Sequence, residues 1–118
     1  MNIVLVSTYK TDCGIATYTE NLAKALKADG HSVYVFAELT KTKKLPSTET
    51  DECGITIFRS WHRQMVYGAQ LGLRSIVKSL EKSKPDVVHI SHEFGIFPDE
   101  NLWALVRDLN SLEIPRTI

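Results

Sequence analysis

Gly14 is the single glycine between an apolar run, Ile3 to Val6, and a helical pattern that begins at Ile15. A glycine at such a junction lets backbone N–H groups at a helix N-terminus approach an anion closely, and the helix dipole favours negative charge there. The chemistry on offer is phosphate binding through the amides of Gly14 and Ile15; the plain alternative is the turn that any helix start needs. His89, His92 and Glu93 are of metal-ligand type. Their spacing argues against a metal, because residues 89 and 92 of one strand point to opposite faces and no third ligand is evident. His92 and Glu93, at a strand exit, suit a ligand's hydroxyls or a proton-transfer partner, and loop structure alone accounts for them equally well. Tyr9, Trp61, His62, Phe94 and Phe97 give the same rim an aromatic character, as stacking faces for a sugar or as core plugs. Cys13 lies near a helix start without an assigned base and no Ser-His-Asp order is evident, so no residue receives a catalytic role.

Neither the GxGxxG dinucleotide fingerprint nor the GxxxxGK[ST] phosphate loop is present, which disfavours dinucleotide enzymes and NTPases. A Ser/Thr-rich loop for a flavin phosphate is not evident either, so a flavodoxin-like carrier is disfavoured. No cofactor is implied.

The elements that must position these residues follow from periodicity. Ile3 to Val6 reads as a central parallel strand covered on both faces. Ile15, Tyr18, Leu22, Ala25 and Leu26 recur at helical spacing until Asp29-Gly30, and Val33 to Phe36 gives the next strand and so a βαβ unit. Leu39 to Asp51 reads as a long mobile loop around Pro46, Ile55 to Phe58 as a third strand, and Arg63 to Lys82 as a helix with Val66, Ala69, Leu73, Ile76, Val77 and Leu80 on one stripe. Pro85 to His92 makes a fourth strand. Asp99 to Leu112 makes a third helix with Leu102, Trp103, Leu105, Val106 and Leu109 inward, and Ile114 to Ile118 opens a fifth strand. The alternation predicts an α/β fold: an open, mostly parallel Rossmann-like sheet with helices on both faces. Ligands of such sheets sit at the carboxyl ends of the strands, which gathers Ser7 to Gly14, Ser60 to His62 and His92 to Phe97 on one edge.

With 118 residues the chain fits a single domain, 1–118. Lys plus Arg and Asp plus Glu are both 14, so the net charge supplies no footprint for nucleic acid. Lys41, Lys43 and Lys44 read as a solvated loop, leaving room for peripheral contact with membrane headgroups. Cys13 and Cys53 lie far apart and read as reduced thiols of a cytoplasmic protein. The first strand begins almost at Met1 without a leader pattern, and no apolar run approaches the ~20 residues of a membrane span.

One set of residues resembles a known family: Asn2 to Ser7, Cys13-Gly14-Ile15-Ala16 with Tyr18 and Leu22 to Leu26, Gly30-His31-Ser32-Val33, and Pro85 to His89 running into His92-Glu93-Phe94-Gly95-Ile96-Phe97. Together they resemble the N-terminal domain of GT-B glycosyltransferases, specifically the family 4 group of retaining, metal-independent enzymes related to glycogen synthase and the phosphatidylinositol mannosyltransferases. The resemblance covers almost the whole chain and implies an acceptor-side domain whose glycine loop reaches the donor diphosphate across an interdomain cleft. Gly14 and Ile15 would face the donor phosphates; Tyr9, His92, Glu93 and Phe94 would lie on the acceptor side. Where the family often has two adjacent glycines, this chain has Cys13-Gly14. The family binds most of its nucleotide-sugar with a C-terminal domain and places a histidine just after the fifth strand, whereas this sequence ends at Ile118 before both.

The expectation is therefore an incomplete N-terminal half of GT-B, inactive alone, whose complete enzyme would transfer a sugar from a nucleotide-sugar donor to a hydroxyl acceptor with retention and without metal. A stand-alone α/β binding or interaction module is the alternative. A sheet cut at Ile118 would expose an apolar edge, through which dimers are expected.

Overall fold

The unbroken run Ile3–Val6 becomes the centre of the sheet, each of its side chains at most 4% exposed. The computed structural model describes residues 1–11, 13–39, 45–61, 69–92 and 99–118, and of residues 69–75 and 99–101 the backbone only. In chain order the elements are β1 (Asn2–Val6), α1 (Gly14–Ala28), β2 (Ser32–Glu38), β3 (Thr48–Thr50), β4 (Thr56–Trp61), α2 (Ala69–Ser83), β5 (Val87–Ile90), α3 (Asp99–Ser111) and β6 (Arg116–Thr117). The strands form one sheet in the order β3-β4-β2-β1-β5-β6, parallel except for the antiparallel edge pair β3 and β4. The α/β, Rossmann-like reading of the sequence thus holds.

Alternation along the strands divides the core into two layers. Ile3, Leu5, Val33, Val35, Ile55 and Ile57 face α1 through Ala23, with Leu22 and Leu26 packed alongside. Val4, Val6, Phe36, Val88 and Ile90 face α2 through Ile76 and Leu80, and α3 through Leu102, Leu105, Val106 and Leu109. α1 stops where expected: Asp29 caps it, its N–H donating to the Ala25 carbonyl, and Gly30 follows at φ 93°, a conformation that suits glycine.

Three features depart from the sequence reading. The stretch read as loop to Asp51 contains β3, whose Thr-Glu-Thr is too short and polar to announce itself and pairs with β4 at the sheet edge. Among the described residues, the parallel strands β2 and β4 are joined through an antiparallel strand and no helix. Trp103 is not inward but 67% exposed, because the buried stripe of α3 runs through 102, 105, 106 and 109, off its face. A register shift between Ala37 and Glu38 adds one residue to β4 at Ser60, and this bulge turns Trp61 into the α2 and α3 layer, where it is fully buried. Val66, His62 and the Lys41, Lys43, Lys44 group lie outside the described residues. Among the described residues, no helix is long and apolar enough to cross a membrane.

His89 ties the last two strands together by a hydrogen bond between its Nδ1 and Thr117 Oγ1. Burial holds its imidazole below the ordinary value of 6.5. The unfolded chain therefore takes up a proton that the fold resists: the contribution is full above pH 6.5 and is lost as pH falls towards the lower folded value. Thermal melts between about pH 7.5 and about pH 5.5 should show a midpoint that falls on acidification less steeply in His89→Asn than in the wild type. Identical slopes would contradict the assignment.

Candidate functional site

β1 ends at Val6, and the chain must turn from the sheet into α1 within Ser7 to Cys13. Cys13 is the N-cap, extended at φ −159° and ψ 156°, and its Sγ accepts the Ala16 N–H at 3.3 Å. The next bond, Thr17 N–H to the Cys13 carbonyl at 3.3 Å, belongs to the helix itself. The N–H groups of Gly14 and Ile15 find no acceptor among the described residues, leaving two outward donors at the positive end of a 15-residue helix. Gly14 is exposed, lies outside the left-handed region, and a Cβ built on it would meet nothing within 4 Å. The fold of the described residues does not itself require glycine there.

The loop leading to this helix is braced from several sides. Ser7 Oγ and Thr19 Oγ1 share a buried hydrogen bond of 2.6 Å, and the Thr8 hydroxyl lies 3.0 Å from Cys13 Sγ. Tyr9, fully buried in the α1 layer, donates its hydroxyl to Asp51 Oδ2 at 3.3 Å; burial, then the Asp51 charge, push its pKa upward, so the phenol stays protonated. Asp51 also organises the β3–β4 turn, its Oδ1 accepting the N–H groups of Cys53 and Ile55. Lys10 stands at φ 53°, a left-handed conformation that costs a lysine about 1 kcal/mol. Its ammonium lies 3.7 Å from Asp51 and 3.6 Å from Glu52. Thr11 donates its hydroxyl to Glu38 Oε1 at 2.7 Å.

Arg59, only 4% exposed, joins this assembly from β4: one terminal N–H donates to the Glu38 carbonyl at 3.1 Å and another to the Tyr9 carbonyl at 3.0 Å. Burial lowers its pKa while Glu49 and Glu38 oppose the shift, and the guanidinium keeps its charge. Neither Arg59 nor Glu38 was singled out from the sequence. The signal was present: Arg59 follows the apolar Ile55 and Ile57 at alternate, buried positions leading into and along β4, and a charge in an inward register position asks for partners.

On the other side of β1, the Ser91 N–H donates to the Val6 carbonyl at 3.0 Å, so His92 leaves the sheet beside the start of the glycine loop. β2 and β4 lie to one side of β1 and β5 and β6 to the other, so the strand order reverses between β1 and β5. That reversal is where open α/β sheets bind ligands, outside the carboxyl ends of the strands. Of the residues singled out in the sequence, Gly14, Ile15 and His92 flank this point. Tyr9 and Trp61 are both 0% exposed, so their rings plug the core and are not sugar platforms, Trp61 donating its indole N–H to the Phe36 carbonyl at 2.9 Å. Glu93, Phe94 and Phe97 lie outside the described residues. Among the described residues, no group of three or more His, Cys, Asp or Glu side chains could hold a metal. A cavity of about 340 Å³ opens elsewhere, between the sheet and the last turn of α2, lined by Asn2, Tyr34, Phe58 and Pro85 near the amino ends of β1 and β5. It does not include the α1 N-terminus.

Sheet order and helix placement define a Rossmann-like α/β domain with a glycine-bearing loop at the reversal. Sucrose-phosphate synthase from Thermosynechococcus elongatus has the same fold: its solved structure matches 89% of this chain with a TM-score of 0.62 at 19% identity. The chain spans 30% of the length of that protein. No curated protein matches the chain. The sequence profile of glycosyltransferase family 4 matches residues 13–110, from the cap of α1 almost to the end of α3. The chain belongs to glycosyltransferase family 4.

Proposed function

We propose that residues 1–118 form the acceptor-side domain of a glycosyltransferase that moves a sugar from a nucleotide-sugar donor to a hydroxyl, with retention and without a metal. Gly14 and Ile15 receive the donor diphosphate through their N–H groups, and His92, with Glu93 and Phe94 after it, lines the acceptor side. The observation that carries this reading is the start of α1: two outward amides without acceptors among the described residues, at a glycine whose missing side chain leaves open space. A diphosphate placed there would receive charge-assisted hydrogen bonds and the favourable end of the helix dipole. The family membership supports the reaction class.

Most of the donor is held, in this reading, by a C-terminal domain facing the same edge, so the 118 residues alone are inactive. Sugar transfer should be undetectable for the isolated chain and appear when a family 4 C-terminal domain is supplied, with the product keeping the donor's anomeric configuration by NMR. Turnover by the isolated chain, or an inverted product, would overturn the respective part. A second reading, an interaction module without catalysis, draws on the exposed Trp103. Binding of a partner that Trp103→Ala abolishes, with no turnover in any combination, would favour it.

A further inference from the structure

We propose that Arg59 and Glu38 act as a buried clamp that fixes the Ser7 to Cys13 loop, making them positioning residues for the amides at the start of α1. The inference rests on the phosphate reading of Gly14 and Ile15 for its ligand, and on independent geometry for its mechanism. Lys10 occupies a left-handed conformation at φ 53° that a lysine keeps only when its surroundings determine it. Its two neighbours are the points held. The Tyr9 carbonyl on one side receives Arg59 at 3.0 Å, and the Thr11 hydroxyl on the other donates to the Glu38 carboxylate at 2.7 Å. The clamp closes on itself because Arg59 also donates to the Glu38 carbonyl at 3.1 Å.

Both residues sit near the carboxyl ends of their strands, Glu38 closing β2 and Arg59 two residues from the end of β4, and both are at least 96% buried. An arginine is suited to this task because its rigid fork reaches two carbonyls at once, which an ammonium on a flexible stem does not do in one geometry. Arg59 Nε finds no acceptor among the described residues, although buried donors are nearly always satisfied. Two residues after Thr11 the chain reaches the Cys13 cap, so the held stretch sets where the Gly14 and Ile15 amides point. Preorganised donors bind an anion more tightly than donors that must first be ordered.

The test uses the 118-residue chain with inorganic pyrophosphate as probe, and compares Arg59→Met, Arg59→Lys and the milder Thr11→Val, which removes only the Thr11 hydroxyl and leaves the core untouched. Amide exchange over Thr8 to Cys13 should rise about tenfold in Arg59→Met and about threefold in Thr11→Val while α3 amides keep their wild-type rates. Pyrophosphate affinity, read from the Ile15 and Ala16 resonances, should fall in the same order, with Arg59→Lys between wild type and Arg59→Met. Unchanged loop exchange in Thr11→Val and Arg59→Met overturns the clamp, as does a rise spread evenly over the whole chain, which would mark a merely structural role. A wild type that ignores pyrophosphate while the variants' loops exchange faster would sink the phosphate reading and leave the clamp standing.

Discussion

Replacing Trp61 by alanine should lower the thermal midpoint by on the order of 15–25 °C, and leave the chain marginally folded at physiological temperature. The indole is fully buried and is the largest such side chain in the fold. Removing it leaves a cavity among Phe36, Ile76 and Leu80, worth about 3–5 kcal/mol, and strips the Phe36 carbonyl of its partner at 2.9 Å, which adds about 1 kcal/mol or more. Against a total stability of about 5–15 kcal/mol, that loss is a large fraction. Trp61→Phe keeps most of the volume and forfeits only the N–H, so it should cost roughly 1–2 kcal/mol. Calorimetry on the pair separates packing from hydrogen bonding. A Trp61→Ala midpoint within a few degrees of wild type would mean that the bulge at Ser60 does not direct the indole into the core.

Gly14→Leu has the opposite profile. Its Cβ has open space and its backbone is not left-handed, so stability should stay within about 0.5 kcal/mol of wild type, or rise slightly as the unfolded chain loses freedom. Diphosphate affinity should fall by about 2 kcal/mol, roughly 30-fold, because the side chain fills the approach to the Gly14 and Ile15 amides. Gly14→Ala should lie between. The dissociation of stability from binding is the informative part: a glycine kept for the turn alone would show the reverse, a lowered melting midpoint with affinity unchanged.

Much of the fold was legible because its central elements are periodic. Ile3–Val6 and Val33–Phe36 are continuous apolar runs of the kind a strand covered on both faces tolerates, and Ile15, Tyr18, Leu22, Ala25 and Leu26 read as a helix laid on them, although of these Tyr18 and Ala25 are exposed. β3 escaped because Thr48–Thr50 has no apolar face and gains its shape from β4. Trp103 was misplaced because its size argued for burial where its angular position on α3 did not. At the candidate site, Gly14, Ile15 and His92 are proposed from strand-exit and helix-start logic, which is local. Tyr9 and Trp61 were open between rim and core; a bulge and a buried hydroxyl partner decided for the core, and neither is visible in a linear pattern. Arg59 and Glu38 are 21 residues apart, and their joint hold on Tyr9 and Thr11 exists only once β2, β4 and the loop are assembled.

The proposed function requires the amides at the start of α1 to be an anion site. A heteronuclear NMR titration of the chain with inorganic pyrophosphate reads it directly. The amide resonances of Gly14, Ile15 and Ala16 should move first and furthest, along one saturating curve, and Gly14→Leu should leave them still. Shifts that spare these three amides, or that persist unchanged in Gly14→Leu, would contradict it.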